Sequence, residues 1–448
     1  MKTRWLRIRR APWLLAIALT LAVANPAGAR DAPDYEVWII DQSDSRGLKH
    51  GGTLYIFHGG QLAGRVAPAA DATEAVDLGG AASALCRERT GADPVRPHMV
   101  LFNSGFTHAL VAFVASGHVL VMDAATREPV DCLRTTESPT GRQAHAAFPA
   151  PDGSYILVAN QNGKRLERID SDFGAGRFTH NAQATLDLAT CTTPAGKPCE
   201  AAGLRPDNAP ICPVLTEAGD LAFVTLRGGG MLVVDPRPTP MRIVAEYDMQ
   251  TIHGNGCGGL QLGDGLYVNS GGRPGPMEHL HQYGFDVYRF GLGEFRAGPG
   301  PTVNEPAAKV VYQVDGAHDS HGMVLVGDRG RYLWVFDRHA DTAEVFATSD
   351  DSHVGTIALN GTLTENAAPD LSDVAPAGDL VFVALRGPTP LSGDPHNARG
   401  ATPGLGIIRV AEDGRSGGLT GIVRFTNVGP DGVERADPHG LRVRRLPP

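Results

Sequence analysis

The sequence predicts an all-β chain folded as a seven-bladed β-propeller, and three observations carry that expectation. Short β-rich runs recur through the 448 residues with Gly, Asn, Asp and Pro between them, as hairpin turns require. The phrase Ala218–Gly228 nearly repeats 159 residues later as Ala377–Gly387. No long helical pattern follows the first thirty residues. A β-sandwich would explain the strands but not a repeat at that offset, which equals three units of about 53 residues.

The chain opens with Lys2, Arg4, Arg7, Arg9 and Arg10, then an apolar run from Trp13 to Ala24 and the small residues Ala27-Gly28-Ala29. This is the pattern of a secretory signal cleaved after Ala29, and the apolar run is too short to span a bilayer. Residues 1–29 are therefore expected to be a signal peptide and residues 30–448 a single propeller domain, periplasmic or secreted. Cleavage would remove five positive charges and take the net charge from −9 to −14. With 40 Lys and Arg against 49 Asp and Glu, there is no basic excess to attract nucleic acid. No later stretch is long enough to cross a membrane.

Expected strands are Tyr35–Ile40, Thr53–Phe57, Ala109–Val114, His118–Met122, Tyr155–Ala159, Leu221–Leu226, Met231–Val234, Tyr332–Phe336, Leu380–Leu385 and Gly406–Val410. Inner strands are expected to begin near His98, His145, Asp207, Cys257, His321, Asp370 and His439, at intervals averaging about 57 residues. The seventh leaves room for one strand before Pro448. Tyr35–Ile40, Thr53–Phe57 and a run near Glu74–Leu78 lack an inner strand, so the C-terminal strand is expected to pair with them. Such closure removes exposed sheet edges. Phe173–Asn208, Gly271–Pro306 and Gly387–Gly404 read as long insertions that could form a partner surface.

The phrase Pro151-Asp152-Gly153, then a strand, then Asn160, together with the strand spacing, resembles the YVTN-type superfamily of seven-bladed propellers over most of the chain. The resemblance implies the fold and leaves the function open.

Function has to come from the blade entrances, which converge on one mouth of the central channel. Four of the seven offer His (His98, His145, His321, His439), two offer Asp (Asp207, Asp370) and one offers Cys257. A single channel histidine ordinarily joins a water and hydrogen-bond network. Four at equivalent positions point to a transition metal, because imidazoles suit copper, zinc and iron. Asp207, Cys257, His318, Asp319, Asp370 and Asp437 are candidates for additional ligands or for holding a ligand's ring N–H. Asp319 and Asp437, each two residues before a histidine in the repeated Asp-x-His-Gly phrase, suit the second role. His253, before Gly254-Asn255-Gly256-Cys257, could flank the channel, while His108 and His118 read as structural. Glu278-His279-Leu280-His281 reads as a surface loop that could bind metal weakly, and Arg227 and Arg386 as structural cations.

The six cysteines Cys86, Cys132, Cys191, Cys199, Cys212 and Cys257 suit disulfides in an oxidising compartment. Cys191 and Cys199 bracket a loop. Cys212 and Cys257 head adjacent inner strands and could form a bridge or a thiolate pair on a metal. Gly228-Gly229-Gly230 lacks the Lys-Ser/Thr of a phosphate loop, so no nucleotide is expected. C-x-x-C-H is absent, so no covalent haem is expected.

Three functions compete. The first is a copper-dependent oxidoreductase, similar in kind to nitrous oxide reductase, thiocyanate dehydrogenase and the carotenoid oxygenases, with Asp207 or Asp370 as a general base. The second is a non-catalytic zinc or copper chaperone. The third is a protein-interaction scaffold with no metal.

Overall fold

A computed structural model describes residues 34–43, 51–62, 74–271, 284–296, 302–390 and 399–447. The expected signal segment, Glu278–His281 and the histidines at 50 and 396 lie outside the described residues.

Alternating apolar and polar residues between Gly- and Asp-rich turns give short antiparallel hairpins, and these assemble as seven small sheets in a ring. The first blade runs through Pro97–Phe102, His108–Phe113, His118–Asp123 and Pro129–Arg134. Inner strands of the next five are Ala144–Pro149, Pro210–Leu215, Gly259–Leu262, Ser320–Val326 and Pro369–Val374. The seventh joins the two ends of the chain. Its inner strand Pro438–Arg445 pairs antiparallel with Tyr35–Asp41, followed by Thr53–His58 and Glu74–Asp77. The register runs from Tyr35 opposite Arg445 to Asp41 opposite Pro438.

Aromatic and aliphatic side chains fill the wedges between blades. Trp38 of the seventh blade meets Phe102 of the first edge to face, with ring centroids 5.0 Å apart. Phe223 of the third blade meets Phe290 of the fourth at 5.3 Å.

Two of the expected insertions contain blade strands. Arg177–His180 is the outermost strand along the second blade's path, and Phe285–Gly291 is the third strand of the fourth. A ten-residue helix, Ala81–Thr90, was not anticipated from the pattern. It buries only Ala82, Ser83 and Cys86, too narrow a stripe to register as helical periodicity. Cys86 ties that helix to Cys132 of the first blade, and the other bridges are Cys191–Cys199 and Cys212–Cys257. The last settles the alternatives left by the sequence in favour of the disulfide. Three disulfides, with no described helix long and apolar enough to cross a membrane, are compatible with an exported protein.

Candidate metal centre

The entrance residues reach the axis because the inner strands are bulged where they begin. The ladder of the first blade slips between Pro97 and Met99, on either side of His98. It slips between Ala144 and Ala147 around His145, between Ser320 and Met323 around His321, and between Pro369 and Ser372 around Asp370. The closing strand slips beside His439, where Ile39 pairs with Leu441 and Asp41 with Pro438. A bulge leaves its extra residue unpaired and re-aims that side chain.

Glycines let these bulges crowd together. A Cβ on Gly322 would stand 2.2 Å from the Asp370 carbonyl oxygen, and one on Gly440 would stand 2.5 Å from that of His98. The Gly of each Asp-x-His-Gly phrase is thus where the next inner strand presses closest. Gly322→Ala should cost about 1–3 kcal/mol of stability, the usual scale of overpacking, measurable as a lower urea midpoint.

Four imidazoles meet in the interior, each at most 7 % exposed. His98 Nε2 lies 3.2 Å from His145 Nε2 and 3.0 Å from His439 Nε2. The His321 ring packs edge-on to His439, with centroids 5.1 Å apart. Asp370 contacts this group from the sixth blade, and ligand atoms of His321, Asp370 and His439 lie within 4.8 Å of one another.

The outer contacts fix which ring nitrogens carry hydrogen. Gln42 Nε2 donates to Asp437 Oδ2 at 3.3 Å, which turns its carbonyl oxygen toward His98. His98 Nδ1 donates to that oxygen at 2.6 Å. His439 Nδ1 donates to Asp370 Oδ2 at 2.8 Å. In neutral rings so held, both Nε2 atoms are bare lone pairs, and they face each other. His321 has no hydrogen-bond partner at either ring nitrogen, and neither does Asp370 Oδ1, 4.0 Å from His321 Nδ1.

The rings are held neutral. Burial pushes His98 well below its usual range, and His439, His145 and His321 push it further. Burial, then His439, takes His145 down to about 3. Burial and Arg338 lower His321 well below its usual range. Burial lowers His439 and is only partly opposed by Asp370. Asp370 goes the other way. Burial opposes its ionisation, but His439, Arg338 and His321 outweigh it and hold the carboxyl well below the usual range.

A shell of buried ion pairs surrounds the imidazoles. Arg386 donates to Asp370 at 2.7 Å and to Asp437 at 2.6 Å, and Arg338 donates to Asp319 at 2.6 Å and to Asp370 at 3.4 Å. Asp319 and Asp437 therefore bind guanidinium groups directly. Asp437 reaches His98 through Gln42.

Other candidates are engaged elsewhere. Asp207 precedes its inner strand, where Arg227 at 2.6 Å and Lys164 at 3.2 Å engage it. Cys257 is in its disulfide, His318 donates to Asp337 at 2.5 Å, and His253 donates to Asp286 at 2.5 Å. His118 is buried between Thr90 and Ser116, a structural role. Sequence reasoning missed Gln42 and Arg338. Nothing in the local sequence marks either, because each bridges an Asp of its own blade to a residue of the next, His98 for Gln42 and Asp370 for Arg338. Arg386 was visible as a repeat of Arg227, and each of the two binds the Asp that leads its own blade.

No protein-family model matches the chain, and no curated protein matches it in sequence. Solved structures do. A protein from Lactobacillus plantarum aligns with 92% of this chain and 99% of its own at 12% identity and a TM-score of 0.57. A putative 6-phosphogluconolactonase from Bacteroides fragilis aligns with 94% and 99% at 12% identity and 0.55. The periplasmic gluconolactonase of Pseudomonas aeruginosa aligns with 92% and 100% at 14% identity and 0.54. The likeness is one of fold. It shows a seven-bladed propeller and nothing of what the propeller does, so the imidazole centre is read on its own chemistry.

Proposed function

We propose that this propeller is exported and holds a transition-metal ion on its axis through His98, His145, His321 and His439, with Asp370 beside them. One observation carries the reading. Two imidazole nitrogens, each with a hydrogen bond behind its ring, face each other at 3.0 Å, and in neutral rings so held neither carries a proton. Lone pairs in that arrangement repel unless a cation accepts both. Two nitrogens bound to one ion at about 2.0–2.1 Å stand roughly 3–3.4 Å apart, so the spacing is that of a coordination shell. The free nitrogens of His321 and the free oxygen of Asp370 offer further donors.

With Cys257 in a disulfide, the donors are imidazole and carboxylate, which suit Zn²⁺ and Cu²⁺. Burial of all four rings favours holding the ion over processing a substrate at it, because a reacting molecule needs a pocket of roughly 300 Å³ or more. A metal carrier is thus preferred to a copper oxidoreductase. Elemental analysis of untagged protein beside a His145→Ala/His321→Ala variant tests the reading. Stoichiometric zinc or copper in the wild type and its loss in the variant are expected. No metal in either after reconstitution would leave the scaffold reading.

The tautomer argument has its own test. Gln42→Leu removes the acceptor behind His98 and should weaken metal binding by about 10–100-fold, the usual effect of losing such a partner. Competition with a chelating dye would measure it. An unchanged affinity would mean that Gln42 does not orient His98.

A further inference from the structure

The imidazole group has a sulfur neighbour. Ligand atoms of His145, Cys212 and Cys257 lie within 4.8 Å of one another, all three residues buried. Met99, 4 % exposed, brings its thioether 3.9 Å from Cys257 Sγ. A cavity of about 30 Å³ lies beside these sulfurs, lined by Met99, Cys257, Gly258 and Met323 among others. It has room for one small ion or water. The His145 ring has the Ile211 backbone beside it, and Nδ1 meets no side-chain acceptor such as the Gln42 amide and Asp370 carboxylate that fix His98 and His439.

We propose that the Cys212–Cys257 disulfide masks a second metal site: on reduction the two thiolates, with His145 and the Met99 thioether, take a thiophilic cation, Zn²⁺ or Cu⁺. Soft sulfur donors select such ions. The reductant is a protein dithiol acting by thiol–disulfide exchange. One of its thiolates attacks a sulfur of the bridge, the S–S bond breaks, and its second thiol resolves the mixed disulfide. Two electrons and two protons pass to Cys212 and Cys257, the dithiol becomes a disulfide, and the two protons leave when the cation binds. The inference rests on the axial reading only through His145. Because the two donor sets share that ring, reduction draws the ion toward the sulfurs and competes with the axial imidazoles.

Co²⁺ is the probe, since thiolate ligation gives a near-ultraviolet charge-transfer band that imidazole ligation lacks. The full-length protein is titrated with Co²⁺ before and after treatment with a phosphine, which reduces the bridge as its phosphorus takes oxygen from water. The expected result is a thiolate band at one equivalent in the reduced protein only, absent from reduced Cys212→Ser/Cys257→Ser. No band in folded protein with both thiols free would overturn the proposal, as would a band that persists in the double variant. Should reduction unfold the wild type, the single variant Cys212→Ser leaves an unpaired Cys257 beside His145 and Met99. It must then show a one-thiolate band, and its absence is equally decisive against the site. Failure of the axial reading looks different: oxidised protein would bind no Co²⁺ at all.

Discussion

Arg386→Met is expected to lower folding stability by about 3–5 kcal/mol, the cost of stripping a buried ion pair of one partner. The guanidinium is fully buried and lies between two fully buried carboxylates, Asp370 and Asp437. Without it, two negative charges remain in an interior that cannot solvate them. The damage should reach the proposed metal centre as well. Asp370 orients His439, and Asp437 orients Gln42, which holds His98. Urea denaturation would read the stability loss, and metal content of the folded fraction would read the second effect. Arg386→Lys should recover little, because an ammonium cannot span both carboxylates as the forked guanidinium does. A stability change within about 0.5 kcal/mol, the scale of an ordinary surface substitution, would remove Arg386 from this role.

Metal-free protein should lose stability steeply on acidification between about pH 6 and 4.5. His98, His145, His321, His439 and His118 are all lowered in the fold, His145 to about 3 and His118 to about 4. Each takes up a proton in this window only when the chain unfolds, so each contributes stability that is present above pH 6.5 and lost as pH falls. Two carboxyls oppose them. Burial raises Asp41 to about 7 and Asp319 to about 6, so the folded chain holds those two protons where the unfolded chain has released them. The four histidines lowered furthest, His98, His145, His321 and His118, against two acids leave about two more protons bound to the unfolded chain, or a slope of about 3 kcal/mol per pH unit. The histidine contribution levels off as pH rises past about 6.5, the unfolded value, so the curve should climb to a plateau near neutrality. Urea midpoints from pH 4.5 to 8 would show it, and a flat profile would mean that the imidazoles are not buried neutral. Saturating metal should raise the whole curve, since a ligand of the native state adds stability by mass action.

The blade pattern was legible because turn residues punctuate apolar runs at every level of the ring. The inner strands Pro97–Phe102, Ala144–Pro149, Ser320–Val326, Pro369–Val374 and Pro438–Arg445 begin one residue before His98, His145, His321, Asp370 and His439. The two weakest candidates mark where the register slipped. Strands start at Pro210 and Gly259, so Asp207 and Cys257 sit in the loops before them. What could not be read was direction. Alternation says which residues share a face, but a bulge cancels alternation at the one residue that matters, and no residue type announces a bulge. The Gln42–Asp437 contact was hidden for a different reason. Gln42 and Asp437 are 395 residues apart, and only ring closure brings them together.

That closure also sets a schedule. A ribosome delivers Tyr35 some 404 residues before His439, yet these strands are partners in one sheet. Six blades can form as they emerge, but the axial centre cannot, since one of its imidazoles and the Asp437 anchor arrive with the final strand. A nascent or nicked chain that lacks that strand offers incoming metal only an unfinished cup. Pairing of that strand with Tyr35–Asp41 is therefore the step that completes the imidazole group.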